Sequence, residues 1–177
     1  MHVLLMGLRG SGKTTVGGLL ARQFDVEFVD LDDRVLATFD ETTVADVWAA
    51  HGQQAWRAAE ASVLHELLGR TAAPDSVIAL GGGTPMIESA RGDIESARTA
   101  GTATVVYLQC VVEELHRRLA GRTGDRPSLT GGDPVRETAA VLTAREPVYR
   151  RLADHECDVS TTPPQQVAVS LGRLLDM

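Results

Sequence analysis

The sequence predicts an α/β fold, a three-layer sandwich in which a five-stranded parallel sheet is flanked by helices. Three observations carry that reading. Short apolar runs alternate with longer segments of helical period. A glycine-rich turn follows the first run. Helices stand between the strands, which joins them in parallel through right-handed crossovers. At 177 residues the chain suits one domain, residues 1–177.

Taken in order, His2–Met6 reads as a buried strand and residues 14–24 as a helix with Val16, Leu19, Leu20 and Phe24 on one side. Glu27–Asp30 is a second strand, lying beside the first. Residues 43–68 carry helical period with a break at Gly52. Residues 77–80 form a third strand that ends in Gly81-Gly82-Gly83. Glu88–Thr99 is helical, residues 103–108 make a fourth strand, and residues 111–119 a helix. Residues 121–133 are rich in Gly, Asp, Thr and Pro and read as a mobile loop. A helix over 135–152, a short strand at 158–160 and a helix over 165–175 complete the pattern. Sheets of this kind hold ligands at the carboxyl ends of their strands, here just after residues 6, 30, 80 and 108.

Composition narrows the function. Apolar residues make up 44% of the chain and charged residues 23%, enough to bury a real core. A net charge of −7 argues against a nonspecific nucleic-acid binder, which would need excess Lys and Arg to neutralise phosphates. No apolar run approaches the roughly 20 residues that span a bilayer, and the start of the chain is too short for an export signal. Cys110 and Cys157 have no metal-ligand spacing and read as reduced and buried. The expectation is a cytoplasmic monomer with no nucleic-acid or membrane partner.

The segment Gly7-Leu8-Arg9-Gly10-Ser11-Gly12-Lys13-Thr14-Thr15 fits G-x-x-x-x-G-K-[ST], with a strand before it and a helix after it. Its glycines let backbone N–H groups turn inward around an anion, and the helix adds its positive end. Gly10, Ser11, Gly12, Lys13, Thr14 and Thr15 are the cradle, with Lys13 on the β- and γ-phosphates and the Thr14 hydroxyl on Mg²⁺. By itself the motif points to a nucleoside triphosphate, with ATP the first candidate.

Other groups point to a phosphoryl acceptor. In Phe28-Val29-Asp30-Leu31-Asp32-Asp33, strand alternation sends Asp30 and Asp32 to one side and Leu31 into the core. One carboxylate can orient Mg²⁺ through its water while the other accepts a proton from a hydroxyl; equally, the run is an acidic turn or a helix N-cap, the task left to Asp33. Arg57 has Glu60 three residues on, either a surface salt bridge or an anion holder. Trp48 and Trp56, two turns apart, are core or the walls of a small pocket with Arg57 on its floor. Gly81, Gly82 and Gly83 allow a ligand to approach the backbone. Arg122 and Arg126 lie in the 121–133 loop, as cations for phosphates when it closes. Pro147 should kink or break its helix and leave Arg145 aimed inward.

Together these residues resemble the shikimate kinase family, in order and spacing across nearly the whole chain. The resemblance is carried by Gly7 to Thr15, Asp30-Leu31-Asp32, Ala45-Asp46-Val47-Trp48 and Trp56-Arg57-Ala58-Ala59-Glu60. It continues through Gly81-Gly82-Gly83, Asp125-Arg126-Pro127 and Arg145-Glu146-Pro147-Val148-Tyr149. It implies a P-loop fold like that of the nucleoside-monophosphate kinases, with substrate-binding helices at about 32–68 and a lid at about 121–133. It also implies ATP-dependent, Mg²⁺-assisted phosphorylation of the shikimate 3-hydroxyl. In that family the acid matching Asp32 binds the reacting hydroxyls, which leaves Asp30 with Thr14 for the metal. The arginines matching Arg57 and Arg145 hold the substrate carboxylate, the middle glycine of the triplet, here Gly82, contacts substrate through its backbone, and Arg126, assisted by Arg122, reaches the nucleotide phosphates. The chain departs from the family in Trp48 and Trp56 where Phe is usual, in Gly52-Gln53 for Gly-Glu, and in Ser128 for Leu. Two other readings stay open: a kinase for another hydroxy acid such as gluconate, and a noncatalytic nucleotide-binding module, which would have no use for Asp32, Arg57 and Arg145.

Overall fold

At the centre of the molecule His2–Met6 forms β1, buried along its whole length. The computed structural model describes residues 1–69, 74–120 and 134–175, the side chains of 134–136 excepted. After β1 come α1 (Lys13–Phe24), β2 (Glu27–Asp30), α2 (Leu31–Leu36), α3 (Val44–Gly69) and β3 (Ser76–Ala79). A 3-10 turn at Thr84–Met86 leads to α4 (Glu88–Thr99), β4 (Ala103–Gln109) and α5 (Val112–Leu119). Then follow α6 (Pro134–Leu152), β5 (His155–Asp158) and α7 (Pro164–Leu175). The five strands make one sheet in the order β2-β3-β1-β4-β5, and every pairing is parallel.

Burial follows position in the sheet. β1 and β3 have no exposed residue, as expected for strands covered on both faces. The edge strands β2 and β5 expose some of their residues. Helices supply the outer layers: α1 packs beside α7, α3 beside α4 and α5 beside α6. α1 approaches the sheet closely through Gly17, where a Cβ would run into the Phe28 ring and lie 3.2 Å from Leu5. Among the described residues no helix is long and apolar enough to cross a membrane.

The structure corrects several local expectations. β2 does not lie beside β1; β3 stands between them. The run Leu31–Leu36 is helical, with Asp30 as its cap, so helical turning and not strand alternation orients Asp32. The cap is therefore Asp30, not Asp33, because Asp30 Oδ1 is the oxygen that accepts from the Asp32 N–H at 3.1 Å. The last strand is His155–Asp158, three residues earlier than its apolar pattern suggested. Pairing with β4 outweighs that pattern, and Val159 extends the ladder by donating to the Gln109 carbonyl at 2.8 Å. α6 runs through Pro147 to Leu152 instead of breaking there; Tyr149 and Leu152 are wholly buried and hold the last turn in place. The break expected in α3 is present at Gly52, whose φ of 79° and ψ of 163° interrupt the helix. Cys110 is buried, whereas Cys157, on the edge strand, is only half-buried.

Candidate active site

The loop after β1 is shaped by glycine. Gly10 and Gly12 take φ of 85° and 94°, a left-handed conformation that side chains resist. Gly12 caps α1 without a side-chain bond, and the first turn carries no acid. The amino end of α1, with its N–H groups and the positive end of the helix dipole, thus opens into the cleft as an anion site. Lys13 folds back over the loop, donating from Nζ to the Gly7 and Leu8 carbonyls at 3.0 Å each. Ser11 is 1% exposed, so its part in the cradle is its backbone.

α5 adds cations that the sequence reading did not single out. Arg118 donates from Nη1 to the Gly10 and Ser11 carbonyls at 3.4 Å and from Nη2 to the Val159 carbonyl at 2.5 Å. Glu114 holds Arg118 Nε at 2.7 Å and Arg117 through two bonds of 2.6 Å. Those hydrogen bonds pull the Glu114 carboxyl down to about 2. The only signal in the sequence was a basic pair closing a helix that begins with two glutamates.

The two acids at the end of β2 serve different neighbours. Asp30 Oδ2 accepts the Thr14 hydroxyl at 2.7 Å, two strands across from β1. The crossover explains the reach: α1 rises over β3 and delivers Thr14 to β2. Burial raises the Asp30 carboxyl above its ordinary value, opposed by the bond from Thr14. A hydroxyl and a carboxylate in contact at the lip of a phosphate cradle are a donor pair that suits Mg²⁺, which takes few protein oxygens beside phosphates and water. Asp32 turns the other way, toward Gly81, where a Cβ would sit 2.8 Å from its Oδ1.

The three glycines after β3 gather the remaining groups. A Cβ at Gly81 would also strike Glu60 and approach Thr84 Oγ1 to 2.8 Å, and one at Gly83 would collide with the Arg57 guanidinium. Side chains of the protein thus approach the backbone closely at Gly81 and Gly83, while Gly82 lies against the backbone of the phosphate loop. Arg57 Nη1 binds Glu60 Oε2 at 2.5 Å; Glu60 is 0% exposed and Arg57 partly exposed, so the pair is half-buried and not a surface salt bridge. The Thr84 hydroxyl donates to Glu60 Oε1 at 2.8 Å. Burial raises the Glu60 carboxyl, and Arg57 works against that rise. Arg145 Nη1 and the Tyr149 hydroxyl both donate to the Gly82 carbonyl, at 2.8 and 2.5 Å. Trp56 is core, wholly buried and stacked on Phe39 with ring centres 6.1 Å apart, while Trp48 is half-buried against the same core.

Asp32, Arg57 and Arg145 thus meet on one triplet, Gly81 to Gly83. That triplet touches the phosphate loop, since a Cβ on Gly82 would lie 3.3 Å from the Gly7 carbonyl. A cleft of about 660 Å³ opens at the phosphate loop, lined by Lys13, Thr14, Thr15, Asp30, Asp32 and Gly82 among others; Arg57 and Arg145 stand behind Gly82 and Gly83 and are not among its lining residues. Arg9, Arg117, Arg118 and Pro164 also line the cleft. Arg122 and Arg126, with the expected lid at 121–133, lie outside the described residues.

The family model for shikimate kinase matches residues 9–176. Shikimate kinase 2 of Sodalis glossinidius is 39% identical over 98% of this chain and 95% of its own length. The shikimate kinase of Symbiobacterium thermophilum is 40% identical over 86% of this chain and 83% of its own. Among solved structures, shikimate kinase from Acinetobacter baumannii in complex with shikimate superposes with a TM-score of 0.86 at 30% identity, covering 99% of this chain and 93% of that one. The fold, with its all-parallel sheet, is of the P-loop nucleoside-monophosphate-kinase type. On the match along its length and on the fold, this chain belongs to the shikimate kinase family.

Proposed function

We propose that this chain, a single kinase domain acting as a cytoplasmic monomer, transfers the γ-phosphoryl group of ATP to the 3-hydroxyl of shikimate. The product, shikimate 3-phosphate, belongs to the chorismate route to aromatic amino acids. One observation carries the reading: an acid and two guanidinium groups converge on Gly81 to Gly83, directly against the phosphate cradle.

Each group then has a task. The backbone amides of the cradle and Lys13 grip the polyphosphate. Arg57 and Arg145 fix the shikimate carboxylate with rigid forks, with Gly81, Gly82 and Gly83 forming the wall behind it. That placement sets the ring hydroxyls toward Asp32, which aligns the attacking oxygen and accepts its proton. Thr14 and Asp30 would hold Mg²⁺, which supplies charge neutralisation across the phosphate oxygens. Arg126 and Arg122 meet the nucleotide phosphates.

An ADP-release assay run over a panel of hydroxy acids tests the proposal. Shikimate should be turned over in preference to gluconate and other open-chain acids. ATP binding without shikimate-dependent ADP release would sink it.

A further inference from the structure

Tyr149 sits one turn beyond Arg145 on α6 and is 0% exposed. Its hydroxyl and the Arg145 guanidinium reach the same oxygen, the Gly82 carbonyl, at 2.5 and 2.8 Å. Residues at i and i+4 share one helix face, so a single rigid element aims both donors. A carbonyl oxygen has two lone pairs, and here each has its donor. The carbonyl belongs to the peptide joining Gly82 to Gly83. Glycine does little to restrict that peptide, so its plane is set by whatever holds its oxygen. On one side it is packed against the phosphate loop, where a Cβ on Gly82 would lie 3.6 Å from the Arg9 nitrogen. On the other it meets the Arg57 guanidinium at Gly83.

We propose that Tyr149 is a positioning residue of the carboxylate pocket: its hydroxyl pins the Gly82 carbonyl and, through that shared acceptor, sets the aim of Arg145. The inference rests on the reading of Arg145 as a carboxylate holder. With the oxygen anchored by the phenol, Arg145 keeps one N–H on Gly82 and presents its remaining donors to substrate. Without the phenol, the peptide between two glycines can tilt, and the guanidinium tilts with it. Tyr149 itself cannot touch substrate, because it is wholly buried. Its ring is fixed against Tyr107, with centres 5.2 Å apart. Burial also raises its phenol above the ordinary value, so the group remains a donor at every working pH.

Tyr149→Phe keeps the ring and removes only the hydroxyl. The KM for shikimate should rise about three- to tenfold, the size of one hydrogen bond, while the KM for ATP and kcat stay within about twofold. The same change made in an Arg145→Ala background should have much less effect, because the hydroxyl acts through that arginine. A merely structural role would move both KM values together, and that result overturns the proposal. An unchanged shikimate KM overturns it as well, as does a full-sized effect in the Arg145→Ala background. Shikimate-dependent ADP release by the unaltered chain is measured alongside: its absence overturns the underlying reading too, whereas normal activity with an unaffected Tyr149→Phe overturns the role of Tyr149 alone.

Discussion

Asp32 and Arg57 divide the labour that residue-level chemistry assigns to this site. Asp32 lies against Gly81 and lines the cleft, where the proposed reaction has it meet the reacting hydroxyl. Asp32→Asn keeps the shape and removes the proton acceptor, so kcat should fall by about 10²- to 10⁴-fold while nucleotide affinity by titration stays near the wild-type value. Arg57 is proposed to hold the other end of the substrate. Arg57→Ala should raise the shikimate KM by about tenfold or more, since charge-assisted bonds are worth roughly 1.5–3 kcal/mol. An unchanged shikimate KM in that variant would remove Arg57 from the pocket. Both residues were legible in the sequence by type and spacing. Glu60 was legible only as a partner three residues on. Its burial, and with it the conversion of a surface pair into a rigid clamp on Arg57, depends on Thr84 arriving from a different part of the chain.

At the scale of elements, the junction of β2 and α2 does two jobs with one carboxylate. Asp30 caps α2 and meets Thr14, yet it is buried enough for its proton affinity to be raised. A carboxyl whose folded-state value lies above its unfolded one binds protons more readily when folded, so its contribution to stability is largest at low pH. That contribution is lost as pH rises from the ordinary value of 3.8 through the raised one. Asp30→Asn keeps a good cap and removes the charge. Its Tm should exceed that of the wild type at pH 7, and the gain should vanish as pH falls toward 3.8, followed by thermal melts across that range. Mg²⁺-dependent activity should drop in the same variant. The two jobs were hidden in the sequence because Asp-Leu-Asp-Asp reads equally well as the end of a strand or the start of a helix. Only the folded backbone separates them, extended at Asp30 and helical from Leu31.

For the molecule as a whole, the substrate region is braced by the core. Trp56, stacked on Phe39, immediately precedes Arg57. Trp56→Ala should cost about 3–5 kcal/mol and lower Tm by roughly 6–20 °C in a domain of this size. The shikimate KM should suffer more than the KM for ATP, because the cavity opens at the residue next to Arg57 in α3. Comparable melting of mutant and wild type would deny Trp56 that bracing role. The parallel α/β architecture and the glycine-rich loop between β1 and α1 were determined by the sequence alone. These rest on local patterns: apolar periodicity and glycines at left-handed turns. Tertiary structure alone decided the strand order, with β3 between β2 and β1, and so the crossing of α1 that brings Thr14 to Asp30. It alone decided that Glu60 is buried and that Arg145 and Tyr149 share one carbonyl. Those contacts join residues 16 to 67 positions apart. Local propensity carries no record of such distant pairings, which form only when layers pack and leave each buried polar group to find its partner.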